Sequence, residues 1–414
     1  MHNVNTLIIG GGITGLSAAA FLKGDYLILE ASSELGGYCK TTMSGDFVWD
    51  HSGHFFHFKD HSIKEWMMEN IETEIVEVEK ITDIKYKDSI IDFPFQYNVY
   101  QLPEEEFLDC VKDAYLASAQ ETNYSSFKAM IQTTVGKAIC NKFLIPYNEK
   151  LYACDLNELD ANAMGRFFPT NINPSELLER NHDTARTSSY NNTFIYPVNG
   201  SQEFVNSVIK RLDPTKIKTN AKVISIDVVK KTVQTTIGEF SFKNLISTLP
   251  YPILQDMMGL DSSNLSFNKV AVFNLGFDKG TDIKTHWRYF PGSEIFYRVG
   301  FYNNILGTDK MSLYVEIGAK SNQVLSSKDE LLEIVIKDLK SSGIITDQTL
   351  VDHQYLEMSP AYVHITEQST KSYSDWCETH NQMGIYSIGR YGAWTYCSIE
   401  DNIIEAKNTA EKIV

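Results

Sequence analysis

The chain has 414 residues, 37 Lys+Arg against 53 Asp+Glu for a formal net charge of −16, 43% hydrophobic residues and 12% aromatic ones. At roughly 100–200 residues per domain, this length suits two or three domains with ample core, and the apolar content excludes a disordered chain. No run approaches the roughly 18–20 uninterrupted apolar residues of a membrane span. The acidic balance also argues against sequence-independent nucleic-acid binding, which needs a basic face.

The residues Met1 to Asn5 run directly into a strand-like segment. They show no charged n-region, apolar h-region or cleavage site, so a cytoplasmic location is expected. The six cysteines, Cys39, Cys110, Cys140, Cys154, Cys377 and Cys397, form no CxxC pair and no Cys/His cluster at zinc spacing. Reduced thiols and no metal site are expected.

Thr6-Leu7-Ile8-Ile9 reads as a short buried strand, Gly10-Gly11-Gly12 as a turn, Ile13 to Lys23 as a helix and Tyr26 to Glu30 as a second strand, giving one βαβ opening. Glu104 to about Arg186 has mostly helical spacing and looks like an insertion. Strand-like alternation returns from Lys222 to Ile246 and from Lys269 to Ile317. Near the end, Gly384 to Gly389 is a short strand closed by glycine, and Ile399 to Val414 a helix. No internal repeat or low-complexity tract separates these parts, so interleaved domains are expected.

Gly10-x-Gly12-x-x-Gly15 lies between a strand and a helix, the context in which this spacing predicts a dinucleotide site. The first glycine permits the turn, the second lets backbone approach a pyrophosphate, and the third lets helix and strand pack closely. The helix start at Ile13 and Thr14 offers unpaired N–H groups to phosphate. Glu30, ending the second strand, is placed for a ribose diol. These features leave NAD and FAD open. The following Glu30-Ala31-Ser32-Ser33-Glu34-Leu35-Gly36-Gly37 resembles the second phosphate-side motif of glutathione-reductase-type and amine-oxidase-type flavoproteins, which favours FAD.

Further segments resemble the UDP-galactopyranose mutases, most closely the eukaryotic branch and its bacterial relatives. Asp50-His51-Ser52-Gly53-His54 is similar to their Gly-His loop, which implies that Gly53 and His54 lie against the flavin. Phe93-Pro94-Phe95-Gln96 is similar to the segment holding the uracil, with Phe93 and Phe95 to stack and Gln96 to bond its edge. Pro146-Tyr147-Asn148-Glu149-Lys150-Leu151-Tyr152 resembles a substrate segment containing Asn148, with Tyr152 where a tryptophan is usual. Arg166 falls where the family carries a diphosphate-binding arginine. Trp287 to Pro291 and Phe296-Tyr297-Arg298 resemble a stretch in which a tyrosine and a second arginine, here Tyr289 and Arg298, face the diphosphate. Gly389-Arg390-Tyr391-Gly392-Ala393-Trp394-Thr395-Tyr396 is the most specific match. It implies that Gly389 and Arg390 touch the flavin, with Arg390 also near the sugar, and that Tyr396 reaches the diphosphate. The resemblance further assigns Tyr362 to the substrate and Val223 to the cofactor.

What the resemblance implies is an α/β fold: a Rossmann-like discontinuous FAD-binding domain (residues 1–85, 195–255 and 375–414), a helical substrate domain (104–190) and an antiparallel β-sheet substrate domain (86–103 and 256–374). It implies a redox-neutral interconversion of a UDP- or dTDP-hexopyranose, such as UDP-galactopyranose, with its furanose form. In that reaction reduced flavin N5 is expected to attack the anomeric carbon, with NADH or NADPH as candidate reductants and the physiological one left open. His54, Arg298 and Arg390 would carry the chemistry, with His54 orienting the ring rather than acting as an obligatory base. A homo-oligomer fits the same reading. The main rival is an FAD-dependent amine-oxidase or protoporphyrinogen-oxidase-type enzyme; from another class, a redox-silent flavin-binding protein would tolerate loss of Arg298 and Arg390.

Overall fold

The computed structural model describes residues 2–120, 124–165, 173–179 and 192–413. Strand His2–Ile9 sits inside the first sheet, pairing in parallel with Tyr26–Leu29 on one side and Gly238–Ser247 on the other. Leu7 and Ile9 enter one apolar cluster while Ile8 enters another, as the two-residue alternation of a strand covered on both faces requires. Ile217–Lys218 extends the sheet beyond Tyr26–Leu29. Beyond Gly238–Ser247 lie the antiparallel strands Thr232–Thr235 and Val223–Asp227, and Ile385–Ser387 pairs in parallel with Leu245 to Ser247.

Helix Ile13–Phe21 covers one face together with the final helix Ile399–Lys412. Small residues make this close packing possible: Ala18, Ala19 and Ala406 share the cluster of Ile8. The final helix opens with a Ser398/Asp401 capping box, which satisfies two backbone donors at its start.

The second sheet runs in the order Leu350–Met358, Asn268–Phe277, Ser312–Lys320, Arg298–Phe301, Trp287–Tyr289, Thr82–Tyr86, Ser89–Asp92. It is antiparallel apart from the parallel pairing of Thr82–Tyr86 with Trp287–Tyr289. The expected domain boundary at residue 85 therefore falls inside a strand of this sheet. That pairing joins segments some two hundred residues apart and leaves no local mark in the sequence. Helix Lys328–Ser341 covers one face, burying Leu331, Val335 and Leu339 on Phe273, Val299 and Leu313. Val272 and Tyr314, on the opposite face, join the largest core with helices Glu104–Ser118, Phe127–Val135 and Ile145–Tyr152.

The end of strand Phe47–Asp50 ties the second sheet to strand Thr193–Pro197 and the turn that follows it. Asp50 is fully buried and accepts from Thr41 Oγ1 (2.6 Å), Tyr196 OH (2.8 Å) and the Ser201 N–H (3.1 Å). Its own backbone N–H donates to Tyr302 OH, and its carbonyl accepts from Asn274 Nδ2. Burial lifts its carboxyl to about 6. This node roots the turn Ser52-Gly53-His54.

Candidate functional site

At the first glycine turn each position answers a different constraint. Gly10 has φ +104°, and a Cβ there would strike Thr248 Oγ1; a Cβ at Gly15 would fall on the Gly10 carbonyl oxygen. Gly12 differs, because its Cβ would meet nothing closer than Gly37 Cα at 3.8 Å. A methyl group at Gly12 would therefore clash with none of these neighbours, and Gly12 lines the cavity described next. Gly36 and Gly37, at φ +123° and +60°, close against this turn through the Gly36 N–H to Gly11 carbonyl bond of 2.8 Å. Glu30 accepts from the Gly11 N–H (2.7 Å) and from the Ser32 N–H (2.8 Å) and Oγ (2.7 Å), so its carboxylate is fixed at the cavity mouth.

A cavity of about 530 Å³ begins at Gly10, Gly12, Ile13, Thr14, Glu30 and Gly37 and continues to Ser52, Gly53, His54, Arg298, Glu316, Tyr362, Gly389, Arg390 and Tyr396. His54 Nδ1 is buried with no partner among the described residues. Burial, helped by nearby His51 and Arg390, holds this imidazole down at about 4, so it is neutral at neutral pH.

Arg390 stands on the C-terminal turn that Gly389 opens at φ +86°. Its N–H donates to Asn402 Oδ1 (2.6 Å), which also accepts from Thr14 Oγ1 (3.2 Å), and so the last helix ties Arg390 to the first glycine turn. The Arg390 guanidinium lies 4.6 Å from the Tyr396 ring and 5.4 Å from Tyr362, and donates to the Cys397 carbonyl. No carboxylate among the described residues pairs with it.

Arg298 is different. Its Nε and Nη2 donate to the two oxygens of Glu316 at 2.5 and 2.8 Å, so part of its fork is already engaged. Sequence reasoning missed Glu316, although a lone carboxylate inside the apolar run Ser312 to Ala319 was a signal that could have found it. Asn402, which has no local signature, was missed as well, and Ser52, although inside the segment Asp50 to His54, was given no role.

The remaining expected residues stand back from this cavity. Tyr289 accepts from Trp287 Nε1 (2.7 Å), its ring packed on Phe93 and Tyr147, each at 5.1 Å. Phe95 is fully buried and stacks on Phe143, and Gln96 is buried beside it in the short helix Phe95–Tyr97. Asn148 Nδ2 donates to the Leu144 carbonyl while its Oδ1 is buried without a partner among the described residues. Tyr152 is likewise buried, its hydroxyl without a partner among the described residues and its ring 5.8 Å from Tyr362. Lys150 fixes the helix bearing both by donating to the carbonyls of Phe290, Gly292 and Phe296 at 2.8–2.9 Å. Val223 is buried in the core of the first sheet, away from the cavity wall. Arg166 lies outside the described residues.

The residues present suit a flavin dinucleotide. The cavity wall at Gly12 and the helix start would suit a pyrophosphate and Glu30 a ribose, with the orphaned His54 nitrogen and Gly389 in the wall where an isoalloxazine would lie.

A solved structure of reduced UDP-galactopyranose mutase superposes with a TM-score of 0.90 at 20% identity, covering 100% of this chain and 94% of that one. A putative protoporphyrinogen oxidase from Exiguobacterium sp. 255-15 gives 0.80 at 18% identity, covering 100% and 98%. A CLA-producing fatty acid isomerase from P. acnes gives 0.68 at 12% identity, covering 99% and 98%. At these identities the likeness is one of fold. The model of the family described as flavin containing amine oxidoreductase matches residues 13–414, nearly the whole chain, and the protein belongs to that family.

Proposed function

We propose that the protein is a nucleotide-sugar mutase that interconverts UDP-galactopyranose, or a related UDP- or dTDP-hexopyranose, with its furanose form. The observation that carries this reading is the cavity itself: it starts at a glycine turn suited to FAD and ends at Arg298 and Arg390, with tyrosine rings around both guanidiniums. An oxidase acting on a neutral or cationic amine has no use for two convergent guanidiniums, whereas a diphosphate carries two negative charges that such forks bind in paired hydrogen bonds.

When bound, reduced FAD supplies the nucleophile for the anomeric carbon. Arg390 takes the charge that grows on the departing UDP, and the N–H groups of Arg298 not engaged by Glu316 add to it. The hydroxyls of Tyr362 and Tyr396 contribute neutral donors beside Arg390. His54, uncharged at working pH, orients the ring without adding a positive charge that would hold UDP too firmly. These half-buried groups line one cavity and hold the sugar nucleotide in a fixed position.

The test is Arg390→Ala. With flavin occupancy equal to wild type, kcat/KM for the sugar nucleotide should fall at least about a hundredfold, since roughly 3 kcal/mol is typical of losing one charge-assisted donor at a developing anion. UDP affinity should fall with it, and Arg390→Lys should recover only part of the loss because it lacks the fork. Near-normal UDP binding and turnover in FAD-loaded Arg390→Ala would remove the clamp from the account.

A further inference from the structure

Glu316 and Arg298 are directly opposed in register across neighbouring antiparallel strands, so their side chains leave the sheet on the same face. The next pair on that face is Tyr314 opposite Gly300. A Cβ at Gly300 would collide with the Tyr314 ring, so the glycine lets that ring lie flat there, 5.8 Å from the Arg298 guanidinium. Arg298 is thus held from one side by an aromatic face and from another by both oxygens of a carboxylate that is only 1% exposed.

The same carboxylate has a second tie. Ser52 Oγ donates to Glu316 Oε1, across 264 positions of sequence. Ser52 is itself in the left-handed region, φ +79°, where a non-glycine residue needs support. Its carbonyl accepts from the His54 N–H (3.0 Å) and from Tyr302 OH (3.3 Å). One buried carboxylate therefore joins the turn that presents Gly53 and His54 to the strand that presents Arg298, and all of these residues line one cavity.

A negative charge so placed works against binding a diphosphate, so affinity for UDP does not explain it. We infer that Glu316 is a positioning residue, setting the Arg298 fork and the Ser52–His54 turn in a fixed mutual orientation, at some cost in attraction for the anionic ligand. This rests on the mutase reading for its effect on turnover, but its effect on the flavin environment and on UDP binding does not depend on turnover.

The experiment compares FAD-loaded wild type, Glu316→Gln and Ser52→Ala for three quantities: the visible flavin spectrum, the Kd of UDP by calorimetry, and kcat with KM for the sugar nucleotide. Glu316→Gln keeps the shape but loses the paired acceptors and the charge. It should bind UDP as tightly as wild type or up to about tenfold tighter, while kcat falls at least about tenfold. Ser52→Ala leaves the Arg298–Glu316 pair intact; it should shift the flavin bands and lower kcat with UDP affinity within about twofold of wild type. UDP affinity lost in parallel with kcat, or a flavin spectrum unchanged in both variants, would overturn the inference and leave Glu316 a packing residue. Absence of turnover in wild type itself would sink the mutase reading instead, and the spectra and UDP affinities would still decide the role of Glu316. Should Glu316→Gln fail to fold, Ser52→Ala alone settles the tether to the turn.

Discussion

His54 links burial to a measurable pH dependence. Its imidazole is held at about 4 in the folded protein against 6.5 for the exposed ring. Between those values the unfolded chain binds a proton that the folded one refuses, so stability rises with pH across this window and is lost as pH falls through it. At about 1.4 kcal/mol per unit, the shift amounts to about 3 kcal/mol. His57, also held at about 4 by burial, acts in the same sense, whereas Asp50, raised to about 6, acts in the opposite sense between about 3.8 and 6. The clean observable is a difference: His54→Asn should flatten the loss of stability of the flavin-free protein between pH 6.5 and 4, measured by urea unfolding. Parallel curves for the two proteins would show that the folded-state ring is not held neutral. Arg298 carries a related lesson. From sequence it is an available cation, but the register places Glu316 opposite it. Arg298→Ala therefore leaves a buried carboxylate unpaired and should cost about 3 kcal/mol of stability in addition to lost turnover, unlike Arg390→Ala.

At the level of the element, the first glycine turn separates two effects that sequence motifs merge. Gly15→Ala would put a methyl group onto the Gly10 carbonyl, forcing helix Ile13–Phe21 off the sheet and costing about 2 kcal/mol of stability even without cofactor. Gly12→Ala meets no protein atom closer than 3.8 Å, so its flavin-free form should melt within about 2 °C of wild type while FAD affinity drops at least about tenfold. Thermal melts of both apo-variants with FAD titrations check this pair, and equal destabilisation of both would contradict it. This turn was legible because strand, turn and helix are contiguous, and each glycine acts on a neighbour a few residues away. Glu316 and Ser52 were not, since each becomes part of the cavity only through pairings across 18 and 264 positions. Phe95 shows the converse error risk: an aromatic in a suggestive segment is fully buried on Phe143, because a hydrophobic core offers a ring as much as a ligand does.

Across the whole molecule, the two sheets divide the work. The first contributes the glycine turn, Glu30 and, through the last helix, the seat of Arg390; the second contributes Arg298 and Glu316 on one face. The split was visible in the sequence as blocks of alternating and helical periodicity, since periodicity is local. The placement of Thr82–Tyr86 in the second sheet was not, because one parallel pairing decides it. No helix among the described residues is long and apolar enough to cross a membrane. The central claim is that these two halves serve a redox-neutral rearrangement of a sugar nucleotide, and anaerobic incubation of UDP-galactopyranose with the fully oxidised and the dithionite-reduced protein, with pyranose and furanose resolved chromatographically, tests it most directly. Furanose should form over many turnovers per flavin in the reduced protein alone, with no net consumption of reductant. Equal furanose formation by the oxidised protein, or none by the reduced protein across UDP- and dTDP-hexoses, would contradict it.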